Sequence, residues 1–242
     1  EHAAVVQSVR STKRLESSQI ESIAEFVSLM RYRIPAFANH VETNLKSVVL
    51  DTFKVMYRAG RLRTPPQELK QLFEDHGIDD ILKVEISNWK IISHMLHVGL
   101  SDESVNLLAH LSYQVYSTRQ ADRFVTSDNP VALFHPSYQD IKPYGVGLAT
   151  KGVELTLPLS SDTLIKAGYQ LPPGSYVANS EEVAEFNRRT IIMGESYVFA
   201  SEAARELRSK IRALKGIFAG FAFDNLFHGD GSVHISRFIP VQ

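Results

Sequence analysis

The spacing of apolar residues changes near residue 113, and this change constrains the fold more than any other feature. Before it, apolar residues recur at helical spacing, as in the series Ile20, Ile23, Val27, Met30 and Ile34. Such spacing places them on one face of a helix. After it, short runs alternate apolar and polar residues, which is typical of half-buried strands. The order predicts an α+β fold, with a helical N-terminal half packed against a small mixed β-sheet with further helices.

We expect a helical region over residues 1–112 and a mixed α+β region over residues 113–242, which together form one integrated domain.

Pro35 predicts a break between two early helices, because the residue before a proline disfavours helical geometry. In "GVELTLPLS" the leucines alternate with Glu154 and Thr156, so the pattern places these two polar residues on the outward side of a strand. Pro158 inside that strand predicts a sheet edge or a bulge.

Composition narrows the classes of protein that the chain can belong to. The 242 residues carry a net charge of −1, which argues against a surface that binds nucleic acid throughout. The chain has no cysteine, which excludes disulfides, thiol nucleophiles and zinc–thiolate sites and is typical of a cytoplasmic protein. No apolar run reaches the ~20 residues of a membrane helix, so we expect no membrane contact. The chain opens at Glu1 rather than Met, and we expect residues upstream of it.

The stretch "RFVTSDNPVALF" interrupts a strand-like pattern with four polar residues and a proline. Thr126, Ser127, Asp128 and Asn129 place side-chain oxygens at the predicted end of a strand, where scaffolds often hold functional groups. Asp128 is a candidate general base, metal ligand or anchor for a substrate hydroxyl. The alternative is a structural turn, since Asp and Asn side chains bond nearby backbone and the proline directs the exit.

Several segments together resemble a known family, domain of unknown function 4238. They are Arg33-Ile34-Pro35, Thr126 to Val131, Pro158-Leu159-Ser160, and Asn187 followed by Tyr197 to Ser201, over roughly residues 25–201. Many members open with a His-Tyr-Val-Pro motif that this chain lacks. The resemblance implies a fold and the location of a site rather than a reaction.

The candidate site residues come from these segments. We assign Asp128, Asn129 and Ser127 as candidate catalytic residues, and we assign four candidate binding residues, Arg33, Thr126, Asn187 and Glu154. Arg33 lies on a helix that we expect to face the core, so it needs an anionic partner. The sequence predicts Asp128 as that partner, with Glu154 second. Asn187 is expected on the apolar side of its helix with a hydrogen-bond partner.

Other chemistries match less well. Ser87-Asn88-Trp89-Lys90 and Ser127-Asp128-Asn129 match two of the three serine β-lactamase motifs, but the third is absent. Glu154-Leu155-Thr156 lacks the lysine of a restriction-type nuclease. A hairpin turn accounts for "HGDGSVH" without a metal, and we assign no metal site. Arg205, Arg208, Arg212 and Lys215 form a basic helix face that is typical of a solvated surface and could alternatively contact phosphates.

The leading hypothesis is an intracellular hydrolase that acts on a nucleotide or a nucleic acid, with Asp128 at its site. The alternative is a non-catalytic binding or interaction module in which the Ser-Asp-Asn-Pro stretch is a structural turn. The partner is then an unidentified small molecule or nucleic acid, and the sequence identifies neither a cofactor nor an oligomeric state. A pocket that converges on Asp128 favours the enzyme, whereas a closed turn favours the module.

Overall fold

The computed structural model of the chain describes residues 2–119, 122–137, 145–202, 205–214, 216–217, 219–228 and 231–241. Lys215 and Asp230, which entered two of the sequence-based interpretations, lie outside these residues, as do the side chains of His228 and His234. Within the described part, no helix is long and apolar enough to cross a membrane.

The first part of the chain is helical, as predicted. Pro35 begins a helix and separates it from the one before, because proline is favoured in the first turn and cannot continue a preceding helix. Described helices are α1 (His2–Thr12), α2 (Ile20–Tyr32), α3 (Pro35–Arg58), α4 (Gln67–His76), α5 (Ile78–Ile81), α6 (Asn88–Gly99), α7 (Asp102–Ala109), α8 (Ser180–Met193) and α9 (Arg205–Leu214).

Strands begin at Ser112 and form one mixed sheet and two small ones. They are β1 (Ser112–Ser117), β2 (Thr126–Ser127), β3 (Ala132–Phe134), β4 (Glu154–Ser160), β5 (Thr163–Gly168), β6 (Gly174–Val177), β7 (Val198–Phe199), β8 (Gly220–His228) and β9 (Gly231–Ile239). The five-stranded sheet has the order β3-β4-β5-β1-β6, with only the β1–β6 pair parallel. The α+β prediction is confirmed.

One face of the five-stranded sheet packs against the N-terminal helices. Its leucine and isoleucine side chains share a buried cluster with Val9 of α1, Val27 of α2 and Leu108 of α7. Apolar residues from both sides of residue 112 therefore bury one another.

The opposite face of the sheet is covered by α8, so the outward orientation expected for Thr156 does not mean exposure. Thr156 is fully buried. Val183 and Phe186 of α8 pack with Tyr116 and Leu164 of the sheet. A strand with helices on both faces buries polar positions that alternation alone assigns to solvent.

Pro158 lies at a bulge of β4, and a bulge was one of the two features predicted at this proline, the other being a sheet edge. The pairing of β4 with β5 shifts register between Pro158 and Ser160. The last residue of β4 that pairs with β3 is Thr156, so no ladder hydrogen bond to β3 is lost at the proline. The bulge turns the end of β4 away from the regular sheet.

We expect Leu155→Ala to lower the free energy of unfolding by about 2–5 kcal/mol, because it leaves a cavity between the sheet and the helices. Urea denaturation measures this change. Val55→Ala is the control, since Val55 is exposed on α3. Equal effects of the two substitutions would contradict this assignment of the core.

Candidate functional site

Asp128 closes a turn with the backbone that follows α8. One carboxylate oxygen accepts the N–H of Glu195 at 2.9 Å, and the other accepts those of Ser196 at 2.8 Å and Tyr197 at 3.2 Å. The backbone N–H of Asp128 donates to the carbonyl of Tyr197. The strand-end position and the hydrogen-bonded carboxylate are both as predicted.

The neighbours of Asp128 complete this turn. The N–H of Asn129 donates to Ser127 Oγ at 3.3 Å, and both residues are buried. Gly194 lies against them, since a β-carbon added there would lie 3.1 Å from Ser127 Cβ. This close approach is available to glycine because it lacks a side chain. The contacts of Ser127, Asp128 and Asn129 are those of a structural turn.

Asn187 of α8 holds the strand that leads into this turn. Its Oδ1 accepts the N–H of Val125 at 2.9 Å, and its Nδ2 donates to the carbonyl of Arg123 at 2.8 Å. The helix begins with Asn179 and Glu182, each of whose side chains accepts the other's backbone N–H. Asn187 is therefore partnered, as predicted, and its amide connects α8 to the backbone before β2.

Glu154 belongs to a separate ion cluster beneath α8. It contacts Lys166 of β5 at 2.7 Å and Arg189 of α8 at 2.8 Å. Arg189 also contacts Glu185 at 2.9 Å and lies 3.8 Å from the centre of the Phe134 ring. Burial alone would raise the pKa of Glu154, but its hydrogen bonds to Lys166 and Arg189 outweigh burial and lower it.

The predicted pairing of Arg33 with Asp128 is wrong. Arg33 is the C-cap of α2 and is exposed, and within the described residues it forms no ion pair with Asp128 or Glu154. Because Pro35 ends the helix at Tyr32, Arg33 projects into solvent, where a guanidinium needs no counter-ion. The buried arginine of this helix is Arg31.

Three of the family-like segments converge on one pocket of about 250 Å³. The N–H of Phe124, two residues before Thr126, donates to the carbonyl of Ser161, which follows the end of β4. Thr126 pairs with Phe199, which joins it to β7. The lining residues are Phe124, Val125, Thr126, Pro158, Leu159, Ser160, Ser161, Phe199, Ala200 and Ser201.

The pocket offers hydroxyl groups and apolar surface. Its polar side chains are those of Thr126, Ser160, Ser161 and Ser201, and none of its lining residues is ionisable. Ser160 Oγ donates to Asp162 at 2.6 Å, just outside the lining. Hydroxyl groups both donate and accept, so the pocket can recognise neutral polar groups.

An exposed aromatic pair borders this pocket. Phe199 lines it, and Tyr197 stacks on Phe199 with ring centres 6.2 Å apart. The two residues are 52% and 65% exposed, respectively. Exposed aromatic rings beside a pocket offer a flat surface on which a ring-shaped ligand can stack.

A larger groove of about 700 Å³ lies between α8 and α9, and Asn187 lines it. The side-chain oxygen and nitrogen of Asn187 each already bond a backbone atom. Among the described residues, no group of three or more His, Cys, Asp and Glu side chains could hold a metal ion.

Sequence reasoning identified Thr126 but missed the rest of the pocket. Pro158-Leu159-Ser160 and Tyr197 to Ser201 carried the family resemblance, yet neither segment was assigned a site residue. Two features of the sequence could have indicated these residues. Both segments belong to the set that resembles the family, and the polar run Ser160-Ser161-Asp162 lies between two predicted strands.

Comparisons with known proteins match the chain to a family. A family model described as "Protein of unknown function (DUF4238)" matches residues 1–204. No curated protein and no solved structure matches the chain.

We expect Asn187→Ala to lower the free energy of unfolding by about 1–3 kcal/mol, because the N–H of Val125 and the carbonyl of Arg123 lose their partner. Chemical denaturation measures the effect. The exposed Asn106 of α7 provides the matched control, and its alanine variant should stay within about 0.5 kcal/mol of wild type. The assignment fails if both variants unfold alike.

The ion cluster predicts a pH dependence of stability. The pKa of Glu154 is lower in the folded chain than its ordinary value, so its stabilisation is fully present above about pH 4.3 and is lost as the pH falls through the lowered pKa. We expect Glu154→Gln to reduce the slope of unfolding free energy against pH in this acid window. Urea denaturation at several pH values measures it, with exposed Glu103→Gln as the control. Curves of equal slope for wild type and Glu154→Gln would contradict the expectation.

Proposed function

This chain belongs to the DUF4238 family, and from its pocket we propose that it is a non-catalytic binding module for a small, uncharged, ring-shaped molecule. The Ser-Asp-Asn-Pro stretch is then a structural turn that positions one wall of the pocket. The observation that carries the proposal is the convergence of three family-like segments on that pocket.

The lining chemistry favours binding over catalysis. General acid–base catalysis requires a titratable side chain within hydrogen-bond reach of the reacting group, and the lining residues include none. The hydroxyls of Thr126, Ser160, Ser161 and Ser201 suit a ligand that carries neutral donors and acceptors. Phe199 suits a planar ring.

The volume of the pocket further limits the class of ligand. A pocket of about 250 Å³ is smaller than sites for drug-sized molecules, which measure roughly 300–1,000 Å³. A single ring, such as a nucleobase or a monosaccharide, is of suitable size. The exposed Tyr197 extends the aromatic surface beyond the pocket, so a ligand can continue outward from the bound ring.

Hydrolysis of a nucleotide or a nucleic acid is the second candidate, and one observation favours it. Ser160 Oγ donates to the carboxylate of Asp162, which is the contact that a nucleophilic serine needs with a base. However, hydrogen bonds from Lys13, and then from Ser160, hold the pKa of Asp162 well below its usual range. A carboxylate with so low a pKa is a weak proton acceptor, so binding ranks ahead of hydrolysis.

Titration with adenine, cytosine, glucose and galactose, followed by calorimetry, tests the proposal. We expect one of these probes to bind, and Phe199→Ala to weaken it about tenfold, since stacking on an aromatic ring contributes about 1–3 kcal/mol. Leu72→Ala, an exposed apolar residue of α4, is the matched control and should bind like wild type.

Asp128→Asn separates the two candidates. As a turn residue, Asp128 contributes to stability, so the variant should lose about 1–3 kcal/mol yet bind the probe normally below its melting temperature. The opposite result, nucleotide or nucleic-acid hydrolysis that disappears at an unchanged melting temperature in Asp128→Asn or in Ser160→Ala, which removes the donor to Asp162, would replace the binding module with the enzyme.

A further inference from the structure

Helix α2 buries two polar side chains that lack partners. Ser28 is fully buried, and Arg31 is 6% exposed. Ser28 Oγ and Arg31 Nε and Nη1 are buried without a hydrogen-bond partner. The two residues are three positions apart, so they are neighbours on one face of the helix.

Within the described part of the chain, Arg31 contacts aromatic rings and forms no ion pair with an acid. Its guanidinium carbon lies 5.4 Å from the centre of the Tyr32 ring and 5.2 Å from that of Phe238 in β9. Ring faces attract a cation, and the C-terminal turn of a helix favours positive charge. Neither contact supplies acceptor oxygens for the guanidinium N–H groups, and burial lowers the pKa of Arg31.

Arg189 shows how the same chain neutralises another buried arginine. It has the same 6% exposure and also lies over an aromatic ring, that of Phe134. Unlike Arg31, it has two carboxylate partners, Glu154 and Glu185. A buried guanidinium without an anion is strongly unfavourable, so the contrast indicates that Arg31 is completed by an anion that the described residues do not supply.

We propose that Arg31 and Ser28 form a binding site for a small oxyanion, a carboxylate or a phosphate group. The guanidinium supplies charged N–H donors that suit either group, Ser28 supplies a hydroxyl donor, and Tyr32 and Phe238 provide apolar walls. Arg31 belongs to α2 and Phe238 to β9. Neither residue lines the hydroxyl-lined pocket, which includes residues of β2 and β7. The proposal therefore does not depend on the ligand of that pocket.

Thermal unfolding in potassium phosphate and in sodium acetate tests the site, with potassium chloride at equal ionic strength as the reference. A ligand that binds only the folded chain raises the melting temperature in a saturable way. We expect such a rise with phosphate or with acetate, and the salt that produces it identifies the anion class.

Three variants assign the effect to the residues. Arg31→Met should abolish the anion-dependent rise, and Ser28→Ala should weaken the apparent affinity about tenfold. Arg33→Met removes an exposed arginine from the same helix end and should respond like wild type. If Arg31→Met does not fold, Arg31→Lys and Ser28→Ala provide the test in the folded protein. Absence of a saturable rise in wild type, or an equal rise in all variants, overturns the proposal.

Discussion

The candidate pocket depends on a carboxylate that accepts backbone N–H groups. Asp128 bonds three consecutive N–H groups of Glu195, Ser196 and Tyr197, which places the chain after α8 in position to pair with β2. Asn187 provides the second fastening by bonding the backbone before β2. Both side chains satisfy polar backbone atoms that strand pairing leaves without partners. The pocket walls follow from these bonds, since Thr126 and Phe199 then lie opposite each other.

The buried arginines on the two sides of the main sheet differ in their partners. Under α8, Arg189 is matched by Glu154 and Glu185, with Lys166 completing an alternating series of charges. On the side of the N-terminal helices, the contacts that Arg31 makes within the described residues are with the rings of Tyr32 and Phe238. Matched ions of this kind fix the orientation of a helix over a sheet, because losing either partner leaves a poorly hydrated charge. The buried guanidinium of Arg31, which lacks a carboxylate partner among the described residues, is the basis for the oxyanion site that we propose.

Reasoning from sequence predicted the strand-end position and the hydrogen-bonded carboxylate of Asp128, and it failed for Arg33. Asp128 and Asn187 were predictable because each places a short polar side chain inside an apolar pattern, where it must find a local partner. Arg33 was misassigned because the sequence places the end of a helix only to within about one or two residues. Two residues earlier, Arg31 occupies the buried position. Thr156 was misassigned because alternation does not reveal a helix on the second face of the sheet.

The sequence by itself determined the order of helices and strands, the break at Pro35 and the strand-end location of Thr126 to Asn129. These features depend on local backbone preferences and on the period of apolar residues, which neighbouring positions contain. Only the tertiary structure decided that Thr126, Ser160 and Phe199 share a pocket and that Asp128 bonds residues 195–197. Those contacts join residues that lie 34 to 73 positions apart in the chain. They depend on strand pairing and on how α8 packs over the sheet, which no local pattern specifies.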